Sequence, residues 1–126
     1  MDMKKKILVA DDEPNIVISL EYLFKREGYT VVVASDGEEA LAAIRSEQPD
    51  LVLLDLMMPR KNGFEVCQAV RADDSLRSTK ILLLTAKCRD TDVAKGLALG
   101  ADAYMTKPFA TRELIEKVAQ LLGNAA

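Results

Sequence analysis

One short run, Leu51–Asp55 (LVLLD), carries much of the structural information in this chain of 126 residues, because four large apolar side chains in a row lead into a carboxylate. Apolar runs that do not alternate with polar residues are typical of parallel strands covered by helices on both faces. A charged residue at the end of such a strand has no role in packing a core. The run therefore predicts a central, buried strand, and Asp55 is a candidate functional residue.

Four other short runs have a similar character and lie on both sides of this strand in the sequence. They are Lys6–Ala10, Thr30–Ala34, Ile81–Thr85 and the weaker Ala103–Met105. Longer segments with apolar residues at helical spacing alternate with them, which is typical of strand-helix-strand units in a parallel sheet. The sequence thus predicts an α/β domain in which a five-stranded parallel sheet is doubly wound by five helices.

Residues that start and stop helices set the limits of the five predicted helices. In chain order, these run from Pro14 to the stop at Gly28, from Asp36-Gly37 to the stop at Pro49, from Gly63 through Val70, from about Thr91 to Leu99 with Gly100 behind it, and from about Thr111 to Leu122 with Gly123 behind it. The polar residues 73–79 are predicted to form a loop. Asp is a common N-cap residue, so either Asp11 or Asp12 is also expected to cap the first helix.

The composition fits a single domain over residues 1–126, structured from about residue 5 to residue 122, since 49% of the residues are hydrophobic and 29% are charged. A net charge of −3 gives no general electrostatic attraction to nucleic acid or to an anionic membrane. No apolar run approaches the roughly 20 residues needed to span a bilayer, and Lys4, Lys5 and Lys6 lead into a strand instead of a signal peptide. We therefore expect a cytoplasmic protein whose domain binds neither nucleic acid nor membrane.

Histidine is absent from the sequence. This excludes Ser-His-Asp and Cys-His nucleophile systems and His-ligated metal sites, so any phosphohistidine chemistry needs a histidine from a partner. The two cysteines, Cys67 and Cys88, form no CxxC unit, and neither a disulfide framework nor a zinc site is expected. Cys67 is predicted to face the core from a helix and Cys88 to lie in a loop.

Polar side chains collect at the predicted carboxyl ends of the strands, which is where ligands bind in open α/β sheets. These residues are Asp11 and Asp12 after the first strand, Asp55 at the end of the third, Thr85 at the end of the fourth and Lys107 after the fifth. Three clustered carboxylates repel one another and resist ionisation unless a cation lies among them. Mg2+ suits them best, with Mn2+ as the alternative, because it prefers oxygen ligands and is commonly shared between carboxylates and a phosphate.

The hydroxyl and the ammonium group complete a set suited to phosphoryl transfer. Lys107 can reach a carboxylate or a phosphoryl oxygen, and the Thr85 hydroxyl can donate to another of those oxygens. The reaction needs a carboxylate nucleophile, a metal that neutralises developing charge and donors around the equatorial oxygens. The residues at this edge of the sheet therefore favour the formation of an acyl phosphate.

Four strings in chain order resemble the receiver domains of two-component response regulators, and the resemblance covers nearly the whole chain. The strings are Val9-Ala10-Asp11-Asp12-Glu13, Asp55-Leu56-Met57-Met58-Pro59 with Gly63 downstream, Leu84-Thr85-Ala86, and Tyr104-Met105-Thr106-Lys107-Pro108-Phe109. Each lies at a predicted strand end. The resemblance implies a flavodoxin-like sheet with strand order 2-1-3-4-5.

The resemblance also implies a role for each matching position. Asp55 would accept a phosphoryl group from a histidine kinase or a histidine phosphotransfer protein in a Mg2+-dependent reaction. Asp11 and Asp12 would hold the ion together with Asp55 and the main-chain carbonyl of Met57, while Lys107 would bridge Asp55 and the phosphoryl group. Such a domain promotes its own phosphorylation and slow dephosphorylation without a separate substrate, so it would not be an enzyme in the usual sense.

A switch built from Thr85 and Tyr104 is a further implication of the resemblance. Phosphorylation would draw the Thr85 hydroxyl inward and the Tyr104 ring would follow, which alters the surface of the fourth helix, the fifth strand and the fifth helix. A new charge of about −1.5 to −2 beside a hydroxyl is a physical basis for such a change. The peptide bond between Lys107 and Pro108 is expected to be cis.

On the output side, the resemblance implies a protein or domain that the sequence does not identify. In receivers joined to winged-helix DNA-binding domains, a homodimer forms through the fourth helix, fifth strand and fifth helix. Asp102, Glu113 and Lys117 match parts of the charged set of such dimers, whereas Val93 and Ala103 occupy places where charges would be expected. Homodimerisation is therefore an open hypothesis.

Other functions fit parts of the pattern. A haloacid-dehalogenase-type phosphohydrolase also uses an Asp at a strand end, but it needs a second Asp two residues later, where this chain has Met57. A flavodoxin-like flavin-binding module needs a Ser/Thr/Gly-rich loop after the first strand, where this chain has acidic residues. The main alternative is a degenerate receiver that binds partners without phosphorylation, which ranks lower because the site residues are all present. Met57 and Lys87 are expected to tune the access of water to the acyl phosphate.

Overall fold

The structure, a computed structural model, describes residues 4–86 and 90–123, apart from the side chain of Asp90. Within these residues five strands alternate with five α-helices, as predicted. The strands are β1 Lys6–Ala10, β2 Thr30–Ala34, β3 Leu51–Asp55, β4 Lys80–Thr85 and β5 Ala103–Thr106, and the helices are α1 Pro14–Arg26, α2 Gly37–Glu47, α3 Gly63–Arg71, α4 Asp90–Ala98 and α5 Thr111–Leu121. No helix in the described part of the chain is long and apolar enough to cross a bilayer.

The five strands form one parallel sheet in the order β2-β1-β3-β4-β5, which confirms the predicted flavodoxin-like topology. β3 lies at the centre and pairs with β1 on one side and with β4 on the other. The direction of winding reverses at β1, since the next two strands in sequence lie on its two sides. Ligand sites in open α/β sheets lie beyond the carboxyl ends of the strands at such a reversal.

Two buried layers of side chains fix β3 in place, because successive residues of a strand point to opposite faces of the sheet. On one face Leu53 belongs to the same buried cluster as Phe24 of α1 and Leu114 of α5. On the other face Leu54 shares a cluster with Ile44 of α2. Each fully buried Leu contributes on the order of 2 kcal/mol by removal from water. The strand that ends in Asp55 is therefore a rigid support for that residue.

The start of α1 differs from the sequence prediction. Neither Asp11 nor Asp12 caps this helix, because the N-cap residue is Glu13, whose side chain makes no capping hydrogen bond. The capping prediction was wrong. Asp11 Oδ1 instead accepts a hydrogen bond of 2.9 Å from the N–H of Glu13, which orients the carboxylate where β1 ends.

Other helix ends follow their local sequence signals. Gly28 and Gly100 adopt left-handed conformations, with φ of 96° and 109°, just beyond α1 and α4, as predicted. α3 begins with an unpredicted capping box, in which the side chains of Asn62 and Glu65 each accept from the other's backbone N–H. Cys67 is buried on α3 as predicted, and Cys88 lies outside the described residues.

The segment between α3 and β4 is more ordered than the predicted loop. Residues Asp74–Leu76 form a 3-10 helix, and the side chain of Asp73 accepts from the Ser75 N–H at its start. Leu76 is buried and anchors the turn to the core. The polar composition of residues 73–79 concealed this anchor, because only one large apolar side chain stands among them.

Arg71, the last residue of α3, ties the end of α4 to the sheet. Its guanidinium group donates to the carbonyl oxygens of Gly100 and Thr79 and to Asp102 Oδ2, each at 2.8 Å. The same Asp102 oxygen also accepts from the Ile81 N–H at 2.7 Å. Asp102 is therefore engaged by contacts inside the domain.

Candidate functional site

The predicted site residues meet at the carboxyl edge of the sheet. Asp55 ends β3 and Thr85 ends β4, while Asp11 and Lys107 directly follow β1 and β5. A hydrogen bond of 2.8 Å from the Lys107 N–H to the Thr85 carbonyl joins the last two strand ends. Parallel pairing thus brings together side chains that are far apart in sequence.

Three carboxylates form a cluster at this edge. Asp11, Asp12 and Asp55 each offer one oxygen, and these oxygens all lie within 4.8 Å of one another. Asp11 and Asp55 are buried, whereas Asp12 is exposed. An all-oxygen set with two fixed ligands and one side open to solvent fits Mg2+, which usually keeps several waters. These residues can hold a divalent cation.

Lys107 lies against the same cluster. Its Nζ donates to Asp11 Oδ2 at 2.8 Å and stands 3.7 Å from Asp55 Oδ1, with only 11% of the side chain exposed. Burial by itself lowers the pKa of Lys107, but the hydrogen bond to Asp11 and the charges of Asp55 and Asp11 outweigh it and raise the pKa. The ammonium group is therefore a permanent positive charge in the site. Its peptide bond to Pro108 is cis, as predicted.

The carboxyl group of Asp55 resists ionisation. Burial, and after it the Asp11 carboxylate, raise the pKa of Asp55 from 3.8 to about 7, against the opposing effects of the Lys107 charge and of a hydrogen bond from the Met57 N–H. That hydrogen bond, to Asp55 Oδ1, measures 3.3 Å. A cation among the carboxylates would relieve the repulsion and favour the ionised form.

Met57 contributes its main chain more than its side chain. The residue is 73% exposed, while its N–H donates to Asp55. The loop that carries Met57 returns to the sheet at Gly63, whose N–H donates to the Leu56 carbonyl at 2.9 Å. Lys87, the other residue expected to tune water access, lies outside the described residues.

Thr85 and Tyr104 lie on the same face of the sheet. Thr85 pairs with Thr106 and Leu83 with Tyr104 in the parallel register, and paired residues point to the same side. Thr85 is buried, whereas Tyr104 is 40% exposed. The structure thus places the two predicted switch residues on adjacent strands, with the ring at the surface.

Two acidic residues that were not assigned a role also face the site. Glu13 and Asp92 line the cavity of about 540 Å³ in which Asp55, Thr85 and Lys107 are found. The sequence signal for Glu13 was its place beside the acidic pair. For Asp92 the sequence offered no signal, because the rotation of α4 about its axis depends on packing.

Comparison with known proteins decides the family. Residues 7–119 match the response regulator receiver domain family. The chain belongs to this family. The match includes the four strand ends that build the acidic site, and it agrees with the sequence resemblance and with the observed strand order.

Individual relatives of this receiver domain span several kinds of regulator. It is 51% identical to the alkaline phosphatase synthesis transcriptional regulatory protein PhoP of Bacillus subtilis (strain 168) over an aligned region of 120 residues. The aligned region covers 95% of this chain and 49% of that protein. The receiver domain thus spans about half the length of that curated relative.

Solved structures show the same architecture. The chemotaxis response regulator CheY4 of Vibrio cholerae matches with a TM-score of 0.89 at 32% identity, over 94% of this chain and 99% of that chain. A CheY-like receiver domain protein of Methanospirillum hungatei JF-1 matches with a TM-score of 0.91 at 31% identity, over 96% of this chain and 95% of that chain.

The raised pKa of Asp55 generates a prediction about stability. In the unfolded chain Asp55 ionises near 3.8 and in the folded receiver domain near 7, so the folded state binds this proton more tightly. The free energy of unfolding therefore falls as the pH rises from about 3.8 to about 7. Asp55→Asn should prevent this fall, because the amide does not ionise. We expect Asp55→Asn to raise the free energy of unfolding of the metal-free protein by about 1–3 kcal/mol at pH 8 and by about zero at pH 4.

Urea denaturation in the presence of a chelator measures this difference. Asp74→Asn, at an exposed aspartate, is the matched control and should change the free energy of unfolding by less than about 0.5 kcal/mol at either pH. Saturating Mg2+ should shrink or reverse the advantage of Asp55→Asn, because the ion compensates the charge of the native carboxylate. An equal gain at both pH values would contradict the prediction.

Proposed function

We propose that this receiver domain accepts a phosphoryl group on Asp55 from a phosphohistidine donor, and that Mg2+ held by the neighbouring carboxylates makes the transfer possible. The observation that carries the proposal is the environment of Asp55. Its buried carboxylate shares one cluster with Asp11 and Asp12, and the Nζ of Lys107 stands 3.7 Å from its Oδ1. Core packing alone would not collect these charges at a buried edge.

Asp55 supplies the nucleophile in this proposal. One carboxylate oxygen forms a bond to phosphorus while the phosphorus–nitrogen bond of the donor breaks. The leaving imidazole keeps the electron pair of that bond and takes up a proton from solvent. Only 5% of Asp55 is exposed, so water approaches the resulting acyl phosphate from the cavity side alone.

Lys107 balances charge before and after the transfer. Its Nζ forms an ion pair with Asp11 at 2.8 Å and lies 3.7 Å from Asp55 Oδ1. Three donor hydrogens on a flexible stem allow it to contact a phosphoryl oxygen on Asp55 while it remains beside Asp11. It acts as a fixed counter-charge and not as an acid, because its pKa is raised.

Asp11, Asp12, Asp55 and the Met57 carbonyl are the groups proposed to hold Mg2+, or Mn2+ in its place. When bound, the ion neutralises carboxylate repulsion and the charge of the incoming phosphoryl oxygens. The arrangement of the three carboxylate oxygens supports this ligand set. Asp12 is the exposed member of the set and is therefore the carboxylate that a hydrated ion can reach from solvent.

The proposed response to phosphorylation runs through Thr85 and Tyr104. A phosphoryl group on Asp55 would attract the Thr85 hydroxyl, and the vacated space would admit the ring of Tyr104 from the surface. The shared sheet face and the difference in burial between these residues support this order of events. The surface that changes is formed by α4, β5 and α5.

As a member of the receiver family, the domain interacts with kinases and output domains, and such domains are generally not classical enzymes. We further propose that the chain is a single receiver domain, structured over about residues 5–122. It would promote its own phosphorylation and dephosphorylation in the cytoplasm, where ATP sustains phosphohistidine donors. Because the Bacillus subtilis relative is a transcriptional regulatory protein of about twice this length, we propose that the output is a transcriptional one. A phosphorylation-independent module is not favoured.

Labelling with a small acyl phosphate tests the central step. With acetyl phosphate and Mg2+, the protein should gain the mass of one phosphoryl group, and Asp55→Asn should gain none, because an amide is a poor nucleophile. A chelator should abolish the gain. Asp12→Asn should lower the labelling rate by at least about 10-fold at limiting Mg2+, with recovery at higher Mg2+.

Intact-mass measurement gives the outcome directly. Labelling of Asp55→Asn at the wild-type rate, or labelling that persists without metal, would contradict the assignment of the acceptor and of the ion. Failure of the wild-type protein to gain mass would favour the degenerate receiver.

The switch is tested by separating phosphorylation from its readout. Thr85→Val keeps the side-chain shape but removes the hydroxyl, so the variant should still bind beryllofluoride with Mg2+ while the ring resonances of Tyr104 shift by less than about half of the wild-type change. NMR spectra with and without beryllofluoride measure this shift. Thr30→Val on β2 is the control and should retain the full shift. A full Tyr104 shift in Thr85→Val would rule out the coupling.

We also propose a test of homodimerisation through α4, β5 and α5, based on which of the charged residues are accessible. Glu113 and Lys117 line an open groove beside Tyr104 and are accessible to a partner, whereas Asp102 is engaged by Arg71. We expect beryllofluoride to promote a dimer in sedimentation equilibrium, and Lys117→Glu to abolish it through charge reversal. A monomer both with and without beryllofluoride would reject the dimer.

A further inference from the structure

The loop that follows Asp55 is packed against the start of a neighbouring helix. We call residues 56–62 the acceptor loop. The N–H of Gly37, the first residue of α2, donates to the Pro59 carbonyl at 3.3 Å, and the same oxygen accepts from the Lys61 N–H at 2.8 Å. The middle of the acceptor loop is therefore joined to α2 by its backbone.

The contact is close enough to require glycine at position 37. A Cβ on Gly37 would lie 2.5 Å from the carbonyl carbon and from the Cβ of Lys61, and closer still to the Lys61 carbonyl oxygen. Such distances are well inside van der Waals contact, and a backbone atom cannot turn away as the end of a side chain can. The acceptor loop and α2 cannot both keep their positions with a larger residue here.

The acceptor loop also carries backbone strain. Arg60 has a φ of 71°, in the left-handed region that non-glycine residues rarely adopt. Strained conformations of this kind persist where the surrounding structure determines them and concentrate at functional sites. Asp36 adds a contact on the same side, since its Oδ1 accepts from the Glu39 N–H at 2.8 Å while its Oδ2 lies 3.2 Å from Arg60 Nε.

The far end of the acceptor loop is also restricted by a glycine. A Cβ on Gly63 would lie 2.9 Å from the Asp55 carbonyl oxygen and from the Leu56 Cα. Between the two glycine contacts stands Met57, whose carbonyl is a proposed metal ligand and whose N–H already donates to Asp55. The position of this carbonyl is thus expected to depend on the close backbone contacts that α2 and α3 make with the two ends of the loop.

We propose that Gly37 is a positioning residue for the metal site. By allowing α2 to approach the backbone of Lys61, it holds the acceptor loop in the shape that presents the Met57 carbonyl to the three carboxylates. Gly37 itself does not touch the ion. The inference rests on the proposed Mg2+ site and extends it to a residue outside the carboxylate cluster, in the manner of outer-shell groups that orient metal ligands.

The test is the Mg2+ affinity of Gly37→Ala, measured by isothermal titration calorimetry. Displacement of the loop should weaken Mg2+ binding on the order of 10-fold. Ile44→Val is the matched control, because Ile44 is a fully buried residue of the same helix and its truncation destabilises the core while leaving Gly37 unchanged. It should bind Mg2+ within about twofold of the wild-type protein.

A second readout needs no metal. The amide of residue 37 should exchange with solvent faster in metal-free Gly37→Ala than in metal-free Ile44→Val, because only the former breaks the hydrogen bond to Pro59. NMR-detected hydrogen exchange measures this at single residues. Equal exchange at residue 37 in the two variants would overturn the inference.

A gentler pair of variants covers the case in which Gly37→Ala does not fold. Asp36→Ala removes the N-cap of α2 and loosens its first turn, whereas Asp36→Asn keeps an oxygen that can accept from Glu39. We expect weaker Mg2+ binding by about 3-fold for Asp36→Ala and a change within about twofold for Asp36→Asn, because Asn keeps the capping oxygen and the Arg60 side chain of the ion pair is 65% exposed.

The outcomes separate the two proposals. If the wild-type protein shows no Mg2+ binding, the proposed metal site is wrong. If the wild-type protein binds Mg2+ and Gly37→Ala binds it equally well, or if Ile44→Val weakens binding as much as Gly37→Ala, the positioning role is wrong and the metal site stands.

Discussion

Repulsion between carboxylates at a buried edge of the sheet governs the chemistry of the site. Asp11 and Asp55 are almost fully buried, yet each offers an oxygen within 4.8 Å of the other and of Asp12. Together, burial and this repulsion raise the pKa of Asp55 to about 7. A fold that only needed to pack would place apolar residues here. In the proposed function, a cation and later a phosphoryl group that share the site with Lys107 would offset the cost of the arrangement.

The fold supplies this constraint through elements with no chemical role of their own. The apolar strand before Asp55 is packed on both faces by buried side chains. This packing keeps the Asp55 carboxylate close to those of Asp11 and Asp12. The loop after Asp55 is restricted by two glycines, Gly37 and Gly63, at points where backbone approaches backbone. In the proposed metal site, the first support would position the Asp55 carboxylate and the second would position the Met57 main chain. The proposed conformational change lies on the β4 and β5 side of the sheet, where Tyr104 is exposed.

The sequence predicted the sheet and the carboxylate cluster well, because both follow from the pattern of apolar and charged residues along the chain. Consecutive apolar residues predict buried parallel strands, and the carboxyl ends of such strands meet in space wherever the intervening helices lie. Contacts that depend on the third dimension escaped prediction. The first helix uses Glu13 as its N-cap because Asp11 is turned towards Lys107 and the sheet edge. Nothing in the sequence indicated that Asp92 faces the cavity or that Gly37 meets Lys61.

Whether Asp55 shares its cluster with a divalent cation can be measured by titrating this carboxyl group. The carboxyl carbon of Asp55 can be followed by NMR against pH, first with a chelator and then with saturating Mg2+. We expect an apparent pKa near 7 without metal and a value lower by at least about one unit with Mg2+, because the ion favours the ionised carboxylate. The same pKa under both conditions would contradict the proposed metal site.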